Sequence, residues 1–407
     1  MKYDFTSVFE RQDAIAADWP KGGPWSPYQK YNITLKEGFD FIPMWVADMN
    51  FHACPTIPET IIERTKHTTY GYFATTDAYY DSIIKWQSER NGVEGLTKEC
   101  IGYENGVLGG VASALRVLGE QGGKVLVHSP VYVGFTGTLS NNGWNAVHCP
   151  LKKDENNVWR MDFELMDKML KEQDIHVAIF CSPHNPTGRV WEKWEIEKAM
   201  EVYKNNDCFV ISDEIWSDLI LPGHKHIPTQ SVNEDAKMRT VAFYAPSKTF
   251  NLAGLIGSYH IIYNKYLRDR IRKESSLSHY NSMNVLSMHA LIGAYKQEGC
   301  EWVDELCQVL GSNVDYGYDF IRKNFKGVEI SKPEGTYLLF LDITGWMKDH
   351  GKTFDEVYAR GCEYGVGWQD GTAFFMDNAI RMNLALPHAR VEEAFDRLNK
   401  YVFNAEW

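Results

Sequence analysis

The stretch VAIFCSPHNPTGRVWEKWEIEKAMEVYKNNDCFVISDEIW, residues 177–216, reads as a strand, a helix and a second strand. The runs 177–183 and 208–214 are apolar at nearly every position and end in turn-forming or charged residues. Continuous rather than alternating apolarity marks strands buried on both faces. Between them, residues 192–205 carry apolar side chains at helical spacing. Strands and amphipathic helices in alternation are the signature of an α/β sheet.

Working outward, the same alternation holds from about Gly106 to His260. Further strands are expected at 124–130, 239–246 and 258–264, and further helices at 107–119, 162–172 and 284–297, the helices covering the sheet. Beyond about Gly299 the texture changes to a long amphipathic helix, short strands in VEI and TYLLFLDI, a helix near 354–364 and a closing helix near 391–403. That part reads as a smaller α+β domain. The first fifty residues are rich in Trp, Pro and Gly and weakly periodic, so they are expected to run as an arm over another domain or subunit. The expected division is therefore 1–50 as the arm or part of the small domain, 51–298 as the large domain and 299–407 as the small one. A chain of 407 residues exceeds the roughly 250–300 over which one core keeps growing.

A net charge of −12, with no run of Lys or Arg to neutralise successive phosphates, argues against nucleic acid as the main partner. The opening MKYDFTSVFERQDAIAADW carries charges throughout, and no stretch approaches the ~18–20 apolar residues that span a bilayer. No membrane association and a cytoplasmic location are expected. The 8 cysteines are scattered, without CxxC or a metal-like spacing against the histidines, and read as reduced packing residues with no metal site.

Several polar groups fall at or just after the expected strand ends, where open α/β sheets place ligands. Lys248 follows the run TVAFYAPS, where an amine can form an imine with an aldehyde; taken alone it would read as a surface lysine. Asp213 ends the apolar run CFVIS, where a carboxylate is costly unless a cation faces it, such as a protonated pyridine nitrogen; the plain alternative is a cap on the next turn. Asn185 projects from a turn stiffened by two prolines and could donate to a phenolate oxygen, or serve only an Asx-turn. Gly106 precedes a helix start suited to a phosphate, a common arrangement. Tyr132 could lie against a flat cofactor or belong to the core.

Taken in order, MWVADMNF, YGYF, GVLGG, SPVYVGF, CSPHNPTGRVW, SDEIWSDLI, PSKTFNLAGL, PEGTYLLFLD and IRMNLALP resemble the fold-type-I, class I/II aminotransferase superfamily. Within it they most resemble the MalY/PatB-type cystathionine β-lyases, over nearly the whole chain. The resemblance implies a pyridoxal-5'-phosphate (PLP) transferase fold: a large cofactor-binding domain with a mostly parallel seven-stranded sheet flanked by helices, plus the smaller α+β domain. It assigns Lys248 as the Schiff-base lysine and proton shuttle, Asp213 to the pyridine nitrogen, Asn185 to the ring oxygen and Tyr132 to the ring face. Gly106, Val107 and Leu108 would supply backbone donors to the phosphate and Ser247 a hydroxyl, with Tyr72 or Tyr70 reaching in from the partner of a homodimer. Arg381, with Asn185, would hold an L-amino acid substrate, the guanidinium pairing with its α-carboxylate.

Some positions depart from that pattern. Trp216 stands where aminotransferases place Tyr and the lyases often His, and its indole can still donate to a phenolate. Ala245 and Ile256 replace a phosphate-binding Ser and Arg, which shifts the phosphate onto backbone donors. Asn50 in ADMNF, His388 in LPHAR and the stretch WQDGTAFFMDNAIRM, which lacks an expected glycine-rich segment, bear on substrate preference. The expected reaction is β-elimination from cystathionine or a related S-substituted L-cysteine, giving a thiol, pyruvate and ammonia. Transamination and racemisation use the same lysine and stay open, as does a regulatory binding protein that keeps the fold.

Overall fold

Apolar residues at every position of a strand require cover on both sides, and the computed structural model, which describes residues 1–11, 14–22, 25–277 and 281–407, provides it. In the strand Val177–Cys181, Val177, Ile179 and Cys181 pack with Val125, Ile211 and Val241 on one face of the sheet. Ala178 and Phe180 pack with Leu126 and Val210 on the other. The helix Val107–Leu118 covers the first face through Val107, Val111, Ala114 and Leu115. The helix Lys193–Asn205 covers the second through Ile196, Ala199, Met200 and Tyr203, and opens with a reciprocal capping box between Glu192 and Glu195.

The sheet has seven strands: β1 (Ile101–Glu104), β2 (Lys124–Ser129), β3 (Asn145–Pro150), β4 (Val177–Cys181), β5 (Phe209–Asp213), β6 (Thr240–Tyr244) and β7 (Ser258–Ile261). Their spatial order is β1-β7-β6-β5-β4-β2-β3. Only β7 runs against its neighbours, so the sheet is mixed and mostly parallel, as expected. Sequence reading locates the five inner strands and misses β1 and β3. Those two are the sheet's edges, and IGYE and NAVHCP lack the unbroken apolarity of the inner strands because they are only partly covered.

A smaller antiparallel sheet follows, made of β8 (Glu329–Ile330), β9 (Leu338–Asp342), β10 (Gln369–Asp370) and β11 (Ala379–Asn383) in the order β8-β9-β11-β10. The expected helix 284–297 is shorter, Val285–Ala294, and packs along the helix Thr56–Thr65. The next helix, Gln297–Asn324, begins at once, so the change of texture at Gly299 falls inside its first turn. Gly299 is needed there, since a Cβ would lie 1.8 Å from the Ala294 carbonyl oxygen. The closing helix starts earlier than expected, at His388.

Several described residues among the first fifty join the core of their own chain. Phe5, Trp19, Tyr28, Ile42, Met44 and Trp45 are buried in one apolar cluster with Leu338 and Ile380, and Ile42–Pro43 pairs in parallel with Val366–Gly367. Among the described residues no helix is long and apolar enough to cross a membrane.

The helix Val107–Leu118 sits so close to the sheet that a Cβ on Gly110 would lie 2.4 Å from the Phe243 ring. Gly110→Ala is therefore expected to destabilise by ~1–3 kcal/mol through overpacking. Gly137→Ala, in a helix with nothing within 4 Å of the new Cβ, should be neutral or stabilise by up to about 1 kcal/mol. Urea unfolding of both variants measures the difference, and equal effects would contradict the packing described.

Candidate active site

Because β1, β2, β4, β5 and β6 run the same way, their carboxyl ends open on one edge of the sheet, the usual position of a ligand crevice. Gly106 follows β1, Tyr132 follows β2, Asn185 follows β4, Asp213 ends β5 with Trp216 just beyond, and Ser247 and Lys248 follow β6. All of these, with Val107, Leu108 and Arg381, line a single cavity of about 790 Å³. Of the expected cofactor-binding residues, Tyr70 and Tyr72 are exposed and do not line the cavity of their own chain.

Lys248 lies in a short helical turn, Pro246–Thr249, and its Nζ donates to the Ala47 carbonyl at 2.8 Å. Its ammonium also stands 5.7 Å from the centre of the Trp216 ring. Enclosure pulls its pKa down to about 8, with Arg381 acting in the same direction and Asp48 and Asp213 opposing. Asp213 is 3% exposed, and its Oδ1 accepts from the Ile215 N–H at 3.0 Å. Burial pushes its carboxyl up to about 7, against that hydrogen bond.

Arg381 comes from the middle of β11, opposite Phe340 on one side and Gln369 on the other. Its Nη1 donates to Asn185 Oδ1 at 3.1 Å, and its Nη2 to the Trp45 carbonyl at 3.1 Å and to Gln369 Oε1. The guanidinium carbon lies 4.6 Å from the centre of the Phe374 ring. Burial pulls its pKa down to about 10, and its Nε is buried without a partner. The hydrogen-bond partners of Lys248, Asp213 and Arg381 are thus all neutral.

The segment MWVADMNF holds two of these groups. Asn383 of β11 donates its N–H to the Met44 carbonyl at 2.7 Å and its Nδ2 to the Val46 carbonyl at 2.8 Å. On the other side Asn251 accepts from the Met49 N–H at 3.1 Å and donates to the Met49 carbonyl at 3.0 Å. Pinned between them, the segment presents the Trp45 and Ala47 carbonyls to Arg381 and Lys248. These contributions, and that of Gln369, escaped sequence reading, because a backbone carbonyl leaves no mark in side-chain type.

At the phosphate-type end, Gly106 adopts φ +80°, and a Cβ built there would meet nothing within 4 Å. The Gly106 N–H is bonded to the Glu104 carbonyl at 2.9 Å. Val107 and Leu108 open the helix, where first-turn N–H groups have no intrahelical acceptor and favour an anion. Ser247 also lines the cavity, its Oγ donating to the Gly257 carbonyl at 3.4 Å. Ile256 lines the wall with no charge to offer.

His388 and Asn50, flagged for substrate preference, stand outside the cavity lining. His388 Nδ1 shares a hydrogen bond with Asn313 Oδ1 at 2.7 Å, and Asn50 Oδ1 accepts from Arg11 at 3.5 Å. From the stretch WQDGTAFFMDNAIRM, Gln369, Asp370 and Ala373 do reach the cavity.

The cavity offers a carboxylate at one wall, amide and indole donors at Asn185 and Trp216, an amine, and an anion-binding helix start. That set fits a flat ring with a cationic nitrogen, an anionic oxygen, an aldehyde and a phosphate arm. The open cradle at Gly106 and the orphaned Arg381 Nε are consistent with groups that would enter here.

Cystathionine β-lyase PatB of Bacillus subtilis (strain 168) is 30% identical to this chain over 398 residues, covering 97% of this chain and 98% of that one. The crystal structure of cystalysin from Treponema denticola, which contains a pyridoxal 5'-phosphate cofactor, superposes with a TM-score of 0.87 at 29% identity, covering 98% of each chain. The PLP-bound C–S lyase from Staphylococcus hominis gives a TM-score of 0.86 at 27% identity, again covering 98% of each. The family model for aminotransferase class I and II matches residues 48–398, from the segment behind Lys248 to the closing helix, and the chain belongs to that family.

Proposed function

We propose that this protein is a PLP-dependent carbon–sulfur β-lyase that converts S-substituted L-cysteines and water to a thiol, pyruvate and ammonia. The observation that carries the reading is the meeting of Lys248, Asp213 and Arg381, three charged groups with only neutral partners, in one cavity beside an anion-binding helix start. Relatives of similar length carry the names cystathionine β-lyase and C–S lyase, which favours elimination over transamination.

When bound, PLP supplies an electron sink for the pair released at the substrate α-carbon. Asp213 would hold the proton of the ring nitrogen, Asn185 and Trp216 would donate to the ring oxygen, and Tyr132 would lie against the ring. The start of the helix at Gly106, Val107 and Leu108, with Ser247, would hold the phosphate, completed by Tyr70 or Tyr72 from the partner in a cytoplasmic homodimer. Arg381 pairs with the α-carboxylate through a planar fork that lysine lacks. Lys248, its pKa drawn down to about 8, gives up its proton more readily than an ordinary lysine and would take the α-proton as general base.

Incubation of the purified holoenzyme with L-cystathionine and no keto acid is expected to release pyruvate and thiol in equal amounts over many turnovers. Glutamate formed only when an amino donor and 2-oxoglutarate are supplied would replace this reading with an aminotransferase.

Asp213→Asn separates stability from function. The folded-state pKa of about 7 lies above the ordinary 3.8, so the carboxyl's ionisation disfavours the fold increasingly between about pH 4 and 7, and fully above that. The Asn variant without cofactor should thus melt higher than wild type above pH ~7 and equally below pH ~4. Its lyase activity should fall by about 10²-fold or more. Thermal scans across pH, with a pyruvate assay, test both halves.

A further inference from the structure

A second cavity, of about 570 Å³, lies along β1 and shares no lining residue with the Lys248 cavity. Three of the side chains that line it each leave one polar atom without a hydrogen-bond partner: Glu104 Oε2, His260 Nε2 and Ser275 Oγ. These residues are 0%, 1% and 3% exposed. Buried polar atoms without a partner are uncommon in folded proteins, and three along one cavity point to a ligand that would pair with them.

The strand register and the helix beside it bring the three together. Gly102 faces His260 and Glu104 faces Ser258 across the antiparallel pair β1–β7, so Gly102, Glu104 and His260 project from one face of the sheet. Gly102 makes room for the imidazole, since a Cβ there would lie 2.3 Å from the His260 ring. On that face Ile262, two residues beyond His260, packs with Leu267 and Ile271 of the helix Lys265–Ser276. Ser275 continues this buried stripe by one turn. Its place along β1 is set from both sides: Arg272 Nη2 donates to the Ile101 carbonyl at 2.8 Å, and Asn281 Nδ2 to the Tyr103 carbonyl at 2.8 Å.

His260 Nδ1 and Glu104 Oε1 share a hydrogen bond at 2.7 Å. A carboxylate only accepts, so the proton is on Nδ1, and in the neutral imidazole Nε2 is then an acceptor. Glu104 Oε2 is an acceptor too, and the Ser275 hydroxyl accepts through its lone pairs. Three acceptors around one negative charge match the three N–H groups of a primary ammonium, whereas a water molecule could donate to only two of them. Among the described residues no group of three or more His, Cys, Asp or Glu could hold a metal ion. Two cations also line the cavity, and both are exposed: Lys98 pairs with Asp77 at 3.3 Å, and Arg272 Nη2 is engaged with the Glu99 and Ile101 carbonyls. We infer that Glu104, His260 and Ser275 form a second binding site, which takes the primary ammonium group of a small amine or the ammonium ion itself.

Thermal melting of the holoenzyme in chloride salts at equal ionic strength tests the site. Methylammonium should raise the Tm of wild type saturably, by roughly 1–2 °C at about ten times its Kd. Tetramethylammonium, which has the charge without the N–H groups, should give no such shift. Glu104→Gln removes the charge and presents N–H groups to the site, and should abolish the shift; Ser275→Ala, a milder change on a helix, should reduce it. A response to ammonium chloride as well as methylammonium assigns the site to an amine head group, and a response to ammonium chloride alone assigns it to the free ion; both support the inference. A shift that persists undiminished in both variants places the amine elsewhere, such as on the cofactor aldehyde, and overturns it. An equal shift from tetramethylammonium or potassium shows an effect of charge alone and overturns it too, as does the absence of any shift in wild type.

Discussion

Lys248, Asp213 and Arg381 share one cavity, and their hydrogen-bond partners there are all neutral. Removing an ion from water costs several kcal/mol even after relaxation, and none of the three recovers that through a direct ion pair. Each responds by moving toward its uncharged form, the amine and guanidinium downward in pKa and the carboxyl upward. Such a site is unfavourable by itself and is stabilised by a ligand of complementary charge, in proportion to the ligand's affinity for the fold. The rest of the architecture can be read as the means of holding these charges in place.

Two sheets and a strap meet at the cavity. The larger sheet delivers Asp213, Asn185, Tyr132 and Lys248 because its parallel strands end on one edge, and its inner strands are fixed by apolar packing on both faces. The smaller sheet delivers Arg381 from the centre of β11, where neighbouring strands fix its position. The segment MWVADMNF lies between, pinned by Asn383 on one side and Asn251 on the other, and offers a carbonyl to each cation. Displacement of this segment would therefore disturb Lys248 and Arg381 together. The aromatic residues at the chain's beginning anchor it: Trp19 stacks on Trp45 at 3.9 Å, and Trp45 Nε1 donates to the Ala16 carbonyl at 3.0 Å.

What the sequence makes legible follows from the same physics. Inner strands are readable because cover on both faces demands unbroken apolarity; the edge strands β1 and β3 are not, because one side of each lacks a strand neighbour. Polar residues at strand ends, Lys248 and Asp213 above all, stand out against the apolar runs before them. Arg381 is readable only through the resemblance of its motif, since an arginine inside a short strand has no local signature of function. The carbonyls of Trp45 and Ala47, the bond that engages the Gly106 N–H, and the placement of His388 against Asn313 outside the cavity all depend on tertiary contacts.

The central claim is that Lys248 is the amine this cavity sets apart, its pKa drawn down by burial and by Arg381. Borohydride reduction of the holoenzyme near neutral pH, followed by peptide mapping of the phosphopyridoxyl label, tests it directly. The account predicts one labelled peptide, the one containing Lys248, and no stoichiometric label in the Lys248→Ala variant. Label spread over surface lysines, or a single label on another lysine, would contradict it.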